Sequence, residues 1–200
     1  MEPAVRFAEL GVATTYEAAG RSGLVQGAFL RVVPGARAAG WARTVQCAPA
    51  DNLAVHQALA VAGPGEIVVV AAPQPCRVSL LGGLLATQAR ARGVAGILLD
   101  GPVRDVDEIA ELGLPVWARG ADAAGAGKLG PAQLDVPVLV GGVHVAPGDL
   151  VVLDGDGAAV VGADLVDEVL AAAEGRHARE LGLLDRLEAG ESTLDLLGLR

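Results

Sequence analysis

The stretch from residue 66 to residue 120 constrains the fold most. EIVVVAA is a continuous run rich in β-branched residues, as expected of a strand buried on both faces. GGLLATQARARG follows with helical spacing, small and apolar residues inward and Arg90 and Arg92 towards its end. VAGILL is a second buried run, VDEIAEL a short helix and GLPVWARG a short strand. This β-α-β-α-β order implies parallel pairing through right-handed crossovers. The expected class is α/β, with these units at the centre.

The flanks add to this frame. AELGVATTYEAAG reads as a short helix, a break at Gly11 and a second short helix. GLVQGAFLRVVPGARAAGWARTVQCAP alternates like short strands joined by turns. Asp51 is placed to cap NLAVHQALAVAG, with Leu53, His56, Leu59 and Ala60 on one face. ADAAGAGKLGPAQ is a loop. VPVLVGGVHVAPGDLVVLDGDGAAVVG divides into three or four strands at Gly-Gly, Pro-Gly-Asp and Asp-Gly-Asp-Gly. From Asp164 to about Ala189 the pattern is helical, and the tail GESTLDLLGLR either docks or frays. With no repeat or linker, residues 1–200 read as a single domain.

Composition narrows the function. The core must be built from Ala, Val and Leu, because the chain has only two Trp, two Phe and one Tyr. Net charge is −9 with no Lys or Arg cluster, which argues against nucleic acid and anionic membranes as partners. Apolar runs fall far short of the ~20 residues that cross a bilayer. The N-terminus carries no basic-then-apolar signal pattern, so a cytoplasmic location is expected. Cys47 and Cys76 form no CxxC pair and read as reduced thiols.

Several motif matches fail on context. GAGKLG has the letters of a dinucleotide fingerprint, but a loop precedes it and Pro131 follows it. Lys128 within it could reach an anion from the loop, but reads first as a solvated lysine. DGDG, at 154–157, lacks the downstream ligands of a calcium loop and reads as a hairpin turn. His56, His144 and His177 are scattered, and His56 reads as a helix-face residue.

Two segments remain. Gly82-Gly83-Leu84-Leu85 opens a helix, where free amide N–H groups and partial positive charge receive carboxylate or phosphate. The glycines could equally serve only a sharp turn. DGPVRD, at 100–105, follows the next strand. Asp105 with Glu108 three residues on fits a helix cap, and Arg104 fits a local ion pair. Position favours more than that: in open α/β sheets ligands collect outside the carboxyl ends of parallel strands, and both segments lie there.

The stretch GGLLATQARARGVAGILLDGPVRDVDEIAELGLPVWARG resembles the signature of the RraA-like family. LGVATTYEAAG, ADNLAVHQALAVAGPGEIVVV and VPVLVGGVHVAPGDLVVLDGDGAAVV are similar to its other segments, so the likeness spans most of the chain. That family includes class II 4-hydroxy-4-methyl-2-oxoglutarate / 4-carboxy-4-hydroxy-2-oxoadipate aldolases and the regulator of ribonuclease E activity. The resemblance implies a β/β/α sandwich-type domain with a long C-terminal helix, assembled as a homotrimer or hexamer. It implies that Asp105 holds Mg²⁺ or Mn²⁺, that Arg104 binds the keto-acid end, and that the backbone of Gly82, Gly83, Leu84 and Leu85 binds the carboxylate. Glu180 would reach metal-bound water in a neighbouring subunit. This chain departs from the family where Gly83 replaces a frequent acidic residue, and where Glu17 stands for a frequent Asp.

The expected function is a divalent-metal-dependent lyase acting on small 2-keto acids, by retro-aldol cleavage to pyruvate or by oxaloacetate decarboxylation. With no histidine expected near the site, a metal-bound water is the candidate base. The alternatives are a non-catalytic RraA-like protein that inhibits a ribonuclease, its acidic surface facing a basic partner, and a pathway-specific enzyme on the same scaffold.

Overall fold

A computed structural model describes residues 2–199. The chain begins with α1 (Pro3–Ala18), then β1 (Leu30–Arg31), β2 (Ala38–Gln46) and α2 (Leu53–Val61). β3 (Glu66–Ala71), α3 (Gly83–Ala91), β4 (Gly96–Val103), α4 (Val106–Leu112) and β5 (Val116–Ala121) alternate through the middle. β6 (Gln133–Leu134), β7 (Val138–Val140), β8 (Val143–Val145), β9 (Leu150–Asp154) and β10 (Gly157–Val161) follow. A 3₁₀ turn then leads into α5 (Val166–Glu188) and α6 (Thr193–Leu196).

The strands make one eight-stranded sheet, in the order β1-β5-β4-β3-β2-β9-β10 with β6 added to β2, and a separate β7–β8 hairpin. β2, β3, β4 and β5 run parallel as neighbours. The run Ile67-Val68-Val69-Val70 supplies both faces of the sheet in alternation. Val68, Val70, Ile97, Leu99, Val116 and Ala118 share a core with α2, α3 and α4. Ile67, Val69, Leu98 and Trp117 pack with Val138, Val140 and Val145 of the hairpin. The result is the expected hairpin, sheet and helix layering. α1 and the first half of α5 cover β9 and β10 through Phe7, Val12, Val166 and Val169. No helix among the described residues is long and apolar enough to cross a membrane.

Three local expectations change. The buried face of α2 is Ala54, Val55, Ala58 and Leu59, whereas His56 is half-buried and Ala60 exposed. Alanines carry this packing because the helix lies close on the sheet. DGPV is not loop: β4 continues to Val103 through a register shift, pairing Pro102 with Gly120 and Val103 with Ala121. The tail forms α6, capped by the Ser192 hydroxyl, which accepts the Asp195 N–H.

The break at Gly11 is a true kink, with φ 82° and ψ 173° inside α1. It turns the Val12 N–H onto the buried Asp154 carboxylate at 2.9 Å. A Cβ at Gly11 would sit 2.7 Å from that carboxylate oxygen. Gly11→Ala should therefore combine backbone strain with a clash and destabilise the fold by about 2–3 kcal/mol, read as a lower urea midpoint at unchanged slope.

Candidate functional site

Four parallel strands end on one side, and the segment after each reaches one cavity of about 200 Å³. Asn52 and His56 come after β2, Gly82, Leu84 and Leu85 after β3, Arg104 and Asp105 after β4, and Gly125 and Lys128 after β5. The segment before α3 runs beside the end of β4: the Leu80 N–H donates to Pro102 O at 3.1 Å, and the Arg104 N–H to Leu81 O at 3.0 Å. The two segments singled out in the sequence are thus joined by backbone hydrogen bonds.

Asp105 has left-handed backbone, φ 56° and ψ 44°. Asp tolerates this conformation at a cost of about 1 kcal/mol. The residue stands at the start of α4, yet its side chain caps nothing there. The carboxylate instead accepts the Gly83 N–H at 2.8 Å, across the gap between α4 and α3. The capping-box reading fails for this reason. Arg104 Nε lies 3.7 Å from the same carboxylate oxygen, and both side chains remain nearly half exposed. Gly82 is required by space: a Cβ there would meet Asp105 Oδ2 at 2.8 Å and Arg104 Nε at 2.9 Å. At Gly83 the nearest atom would be Asp105 Oδ2 at 3.5 Å, so a side chain fits.

The first helical hydrogen bond of α3 runs from the Ala86 N–H to Gly82 O at 3.0 Å. The amides of Gly83, Leu84 and Leu85 precede it. With the Gly83 amide committed to Asp105, those of Leu84 and Leu85 remain to receive an anion.

A loop from Asp122 to Gly130 closes the far side. The Ser79 N–H donates to Ala124 O at 2.7 Å, the Asn52 N–H to Gly127 O at 2.9 Å, and the Gly127 N–H to Ala50 O at 2.8 Å. Asp51 ties this loop to the start of α2, accepting the Leu53 N–H at 2.8 Å and the Leu129 N–H at 2.6 Å. These bonds hold its carboxyl below the usual range, the Leu53 amide contributing most.

Sequence reasoning missed His56 and Asn52, and read Lys128 first as solvated. A histidine does line the site. Burial, and then the charge of Lys128, hold its imidazole below the ordinary range, so it is neutral at pH 7. Helical spacing could have found it: four residues after Asn52 is one turn along the same face. Glu180 lies on α5 in an ion pair with Arg176 at 2.8 Å and does not line the cavity. Glu17 pairs with Arg21 on the surface of α1.

The resemblance implies a divalent cation at Asp105. One oxygen of that carboxylate accepts the Gly83 N–H, and the nearly half-exposed carboxylate would be the one protein ligand to such an ion. This fits a hydrated hard ion such as Mg²⁺, which binds through one or two carboxylates plus substrate oxygens.

The model of the family described as RraA-like, Aldolase/RraA, matches residues 12–160. The chain belongs to the RraA-like family. A relative from Halalkalibacterium halodurans is 36% identical over 160 residues, covering 78% of this chain and 76% of its own. Its name provisionally gives 4-hydroxy-4-methyl-2-oxoglutarate aldolase. A Thermus thermophilus protein named 4-hydroxy-4-methyl-2-oxoglutarate aldolase is 38% identical over 122 residues, 61% of this chain and 74% of its own. Among solved structures, Streptomyces coelicolor RraAS2, described as an unusual member of the RNase ES inhibitor RraA protein family, superposes with a TM-score of 0.80. It is 32% identical and covers 90% of this chain and 93% of its own.

The two glycines of this RraA-like site should behave oppositely. Gly83→Ala should leave ligand binding intact and raise Tm by about 1–2 °C, because Ala suits a helix better than Gly. Gly82→Ala should displace Asp105 and Arg104 and cost about 100-fold in kcat/KM. Thermal melts and steady-state kinetics on both variants check this.

Proposed function

We propose that this RraA-like chain is a metal-dependent lyase that cleaves a carbon–carbon bond of small 2-oxo acids and releases pyruvate. The observation that carries this reading is the meeting of Arg104, Asp105 and the Leu84 and Leu85 amides in one small cavity at the strand ends. The aldolase names of the relatives support it.

The Leu84 and Leu85 amides bind the substrate's 1-carboxylate at the positive end of α3. Asp105, oriented by the Gly83 N–H, would hold the divalent cation, and Arg104 binds the 2-oxo group beside it. The cation, when bound, supplies Lewis-acid charge for the enolate. In retro-aldol cleavage the hydroxyl on C4 loses its proton to a water in the cavity. The C3–C4 bond breaks, its electron pair passes to C3–C2–O as the enolate, and C4 leaves as a carbonyl. Protonation of C3 gives pyruvate. Oxaloacetate reaches the same enolate by loss of CO₂. In both reactions the Arg104 guanidinium faces the developing oxyanion.

Assembly completes the reading. Only Val166, Val169 and Ala173 of α5 are buried, all in its first half, while Leu181 and Leu184 beyond them are about half exposed. A neighbouring copy of a homotrimer or hexamer would cover these leucines and bring its Glu180 to the site.

The likeness to RraAS2 and the net charge of −9 favour a second reading, a protein that binds and inhibits a ribonuclease. One assay separates the two. Pyruvate release from 4-hydroxy-4-methyl-2-oxoglutarate and from oxaloacetate should need Mg²⁺ or Mn²⁺ and stop with EDTA. Asp105→Ala should fall to background, and Arg104→Ala should lose about 10²–10³-fold in kcat. No metal-dependent turnover of either substrate would sink the lyase and leave the inhibitor.

A further inference from the structure

DGPVRD lends its last two residues to the proposed chemistry and leaves the first, Asp100, without a role. That carboxylate is 7% exposed and pairs with Arg119 of β5. Neither residue lines the cavity, so neither touches a substrate there. We infer that Asp100 and Arg119 are positioning residues, whose ion pair fixes the bend of β4 that delivers Arg104 and Asp105. This rests on the lyase reading for what Arg104 and Asp105 do, but not for how they are held.

The bend is written in the pairing of β4 with β5. The strands match one to one from Ile97 with Val116 to Leu99 with Ala118, and resume at Pro102 with Gly120. Between these points β4 has Asp100 and Gly101 where β5 has only Arg119. An extra residue on one strand is a β-bulge, which bends its strand and re-aims the side chains beyond it. Arg104 and Asp105 lie directly beyond. Gly101 lets the neighbouring segment close on the bend, since a Cβ there would meet Leu80 Cδ1 at 2.9 Å. That segment then takes up the re-aimed backbone through the Leu80 N–H to Pro102 O and the Arg104 N–H to Leu81 O.

Side chains hold the bulge where the ladder is interrupted. Arg119 Nε donates to Asp100 Oδ1 at 2.6 Å, and Gln74 Nε2 donates to Asp100 O at 2.6 Å. Arg119 is itself fixed. Its guanidinium lies 3.9 Å over the Phe29 ring and reaches Ala28 O at 3.4 Å. A Cβ at Gly27 would occupy the place of its Nη1. A buried ion pair adds little net stability over an apolar pair of the same volume, so what this one adds is a single geometry.

The test reads the far end of the chain of contacts, the Gly83 N–H bonded to Asp105, by amide hydrogen exchange in the full chain without substrate. Asp105→Ala sets the rate with that bond absent. Arg119→Met keeps the stem beside Phe29 and removes the tie, and should move Gly83 most of the way to that rate. Asp100→Asn/Arg119→Met should do the same with no unpaired charge left to unfold the protein. Asp100→Asn alone keeps an oxygen for Arg119 and should retain most of the protection. Arg43→Met breaks an ion pair of similar exposure, with Glu66, and should leave Gly83 unmoved relative to the β3 amides. With 4-hydroxy-4-methyl-2-oxoglutarate, Arg119→Met and the double variant should lose about 10- to 100-fold in kcat, with KM within about threefold because the Leu84 and Leu85 amides are undisturbed. Unchanged Gly83 exchange in either folded variant, loss of protection shared equally with the β3 amides, or a double variant that does not fold would make the pair a structural brace and overturn the inference. Absence of turnover in the unmodified protein would sink the lyase reading instead, and leave the exchange result to judge the pair's hold on Asp105.

Discussion

A single hydrogen bond organises the site, from the Gly83 N–H to the Asp105 carboxylate. It links the first residue of one crossover helix to the residue before the next. Two conditions make it possible. Asp105 must take left-handed backbone so that its side chain turns back over α3, and position 82 must lack a Cβ so that the carboxylate and Arg104 can approach. The same bond removes one α3 amide from ligand binding and fixes one carboxylate oxygen, leaving two amides and one oxygen to act. A residue that looks like a helix cap thereby ties its own helix to the start of the one before, with its carboxylate fixed in place.

The sheet below supplies rigidity. Its core is built from Val, Leu, Ile and Ala packed in three contiguous clusters. The small side chains of Ala54, Ala58, Ala86 and Ala89 pack α2 and α3 into the same core as the strands. Parallel pairing of β2 through β5 then gathers four strand-to-helix segments at one edge, none of which could form the cavity alone. Charge follows the same logic. Arg104 and Lys128 both line the cavity beside Asp105, so cationic side chains gather there in an otherwise acidic molecule.

Most of the middle of the fold was legible in the sequence, because β-branched runs and 3.6-residue periodicity alternate there without interruption. The link between Gly82 and Asp105 was legible from topology alone. The rest of the site was not. GWARTVQ reads as one of several short strands joined by turns, whereas it belongs to a nine-residue strand parallel to β3; that pairing brings Asn52 and His56 to the cavity. The face of α2 was misread because its buried positions are mainly alanines, which periodicity counts weakly. Lys128 looked solvated since nothing in GAGKLG announces the backbone bonds that fasten that loop to Ala50, Asn52 and Ser79. Contacts between segments far apart in the chain carry no local signal.

The central claim is that Asp105, Arg104 and the start of α3 form one site for a divalent cation and a 2-oxo acid. The most direct measurement is a crystal structure with Mn²⁺ and oxalate, a flat mimic of the pyruvate enolate, using anomalous scattering to locate the metal. The account predicts one Mn²⁺ peak in direct contact with an Asp105 oxygen. Oxalate should lie in the same cavity, about 3 Å from the Leu84 and Leu85 amides. Mn²⁺ bound away from Asp105, or oxalate bound outside the cavity, would contradict it.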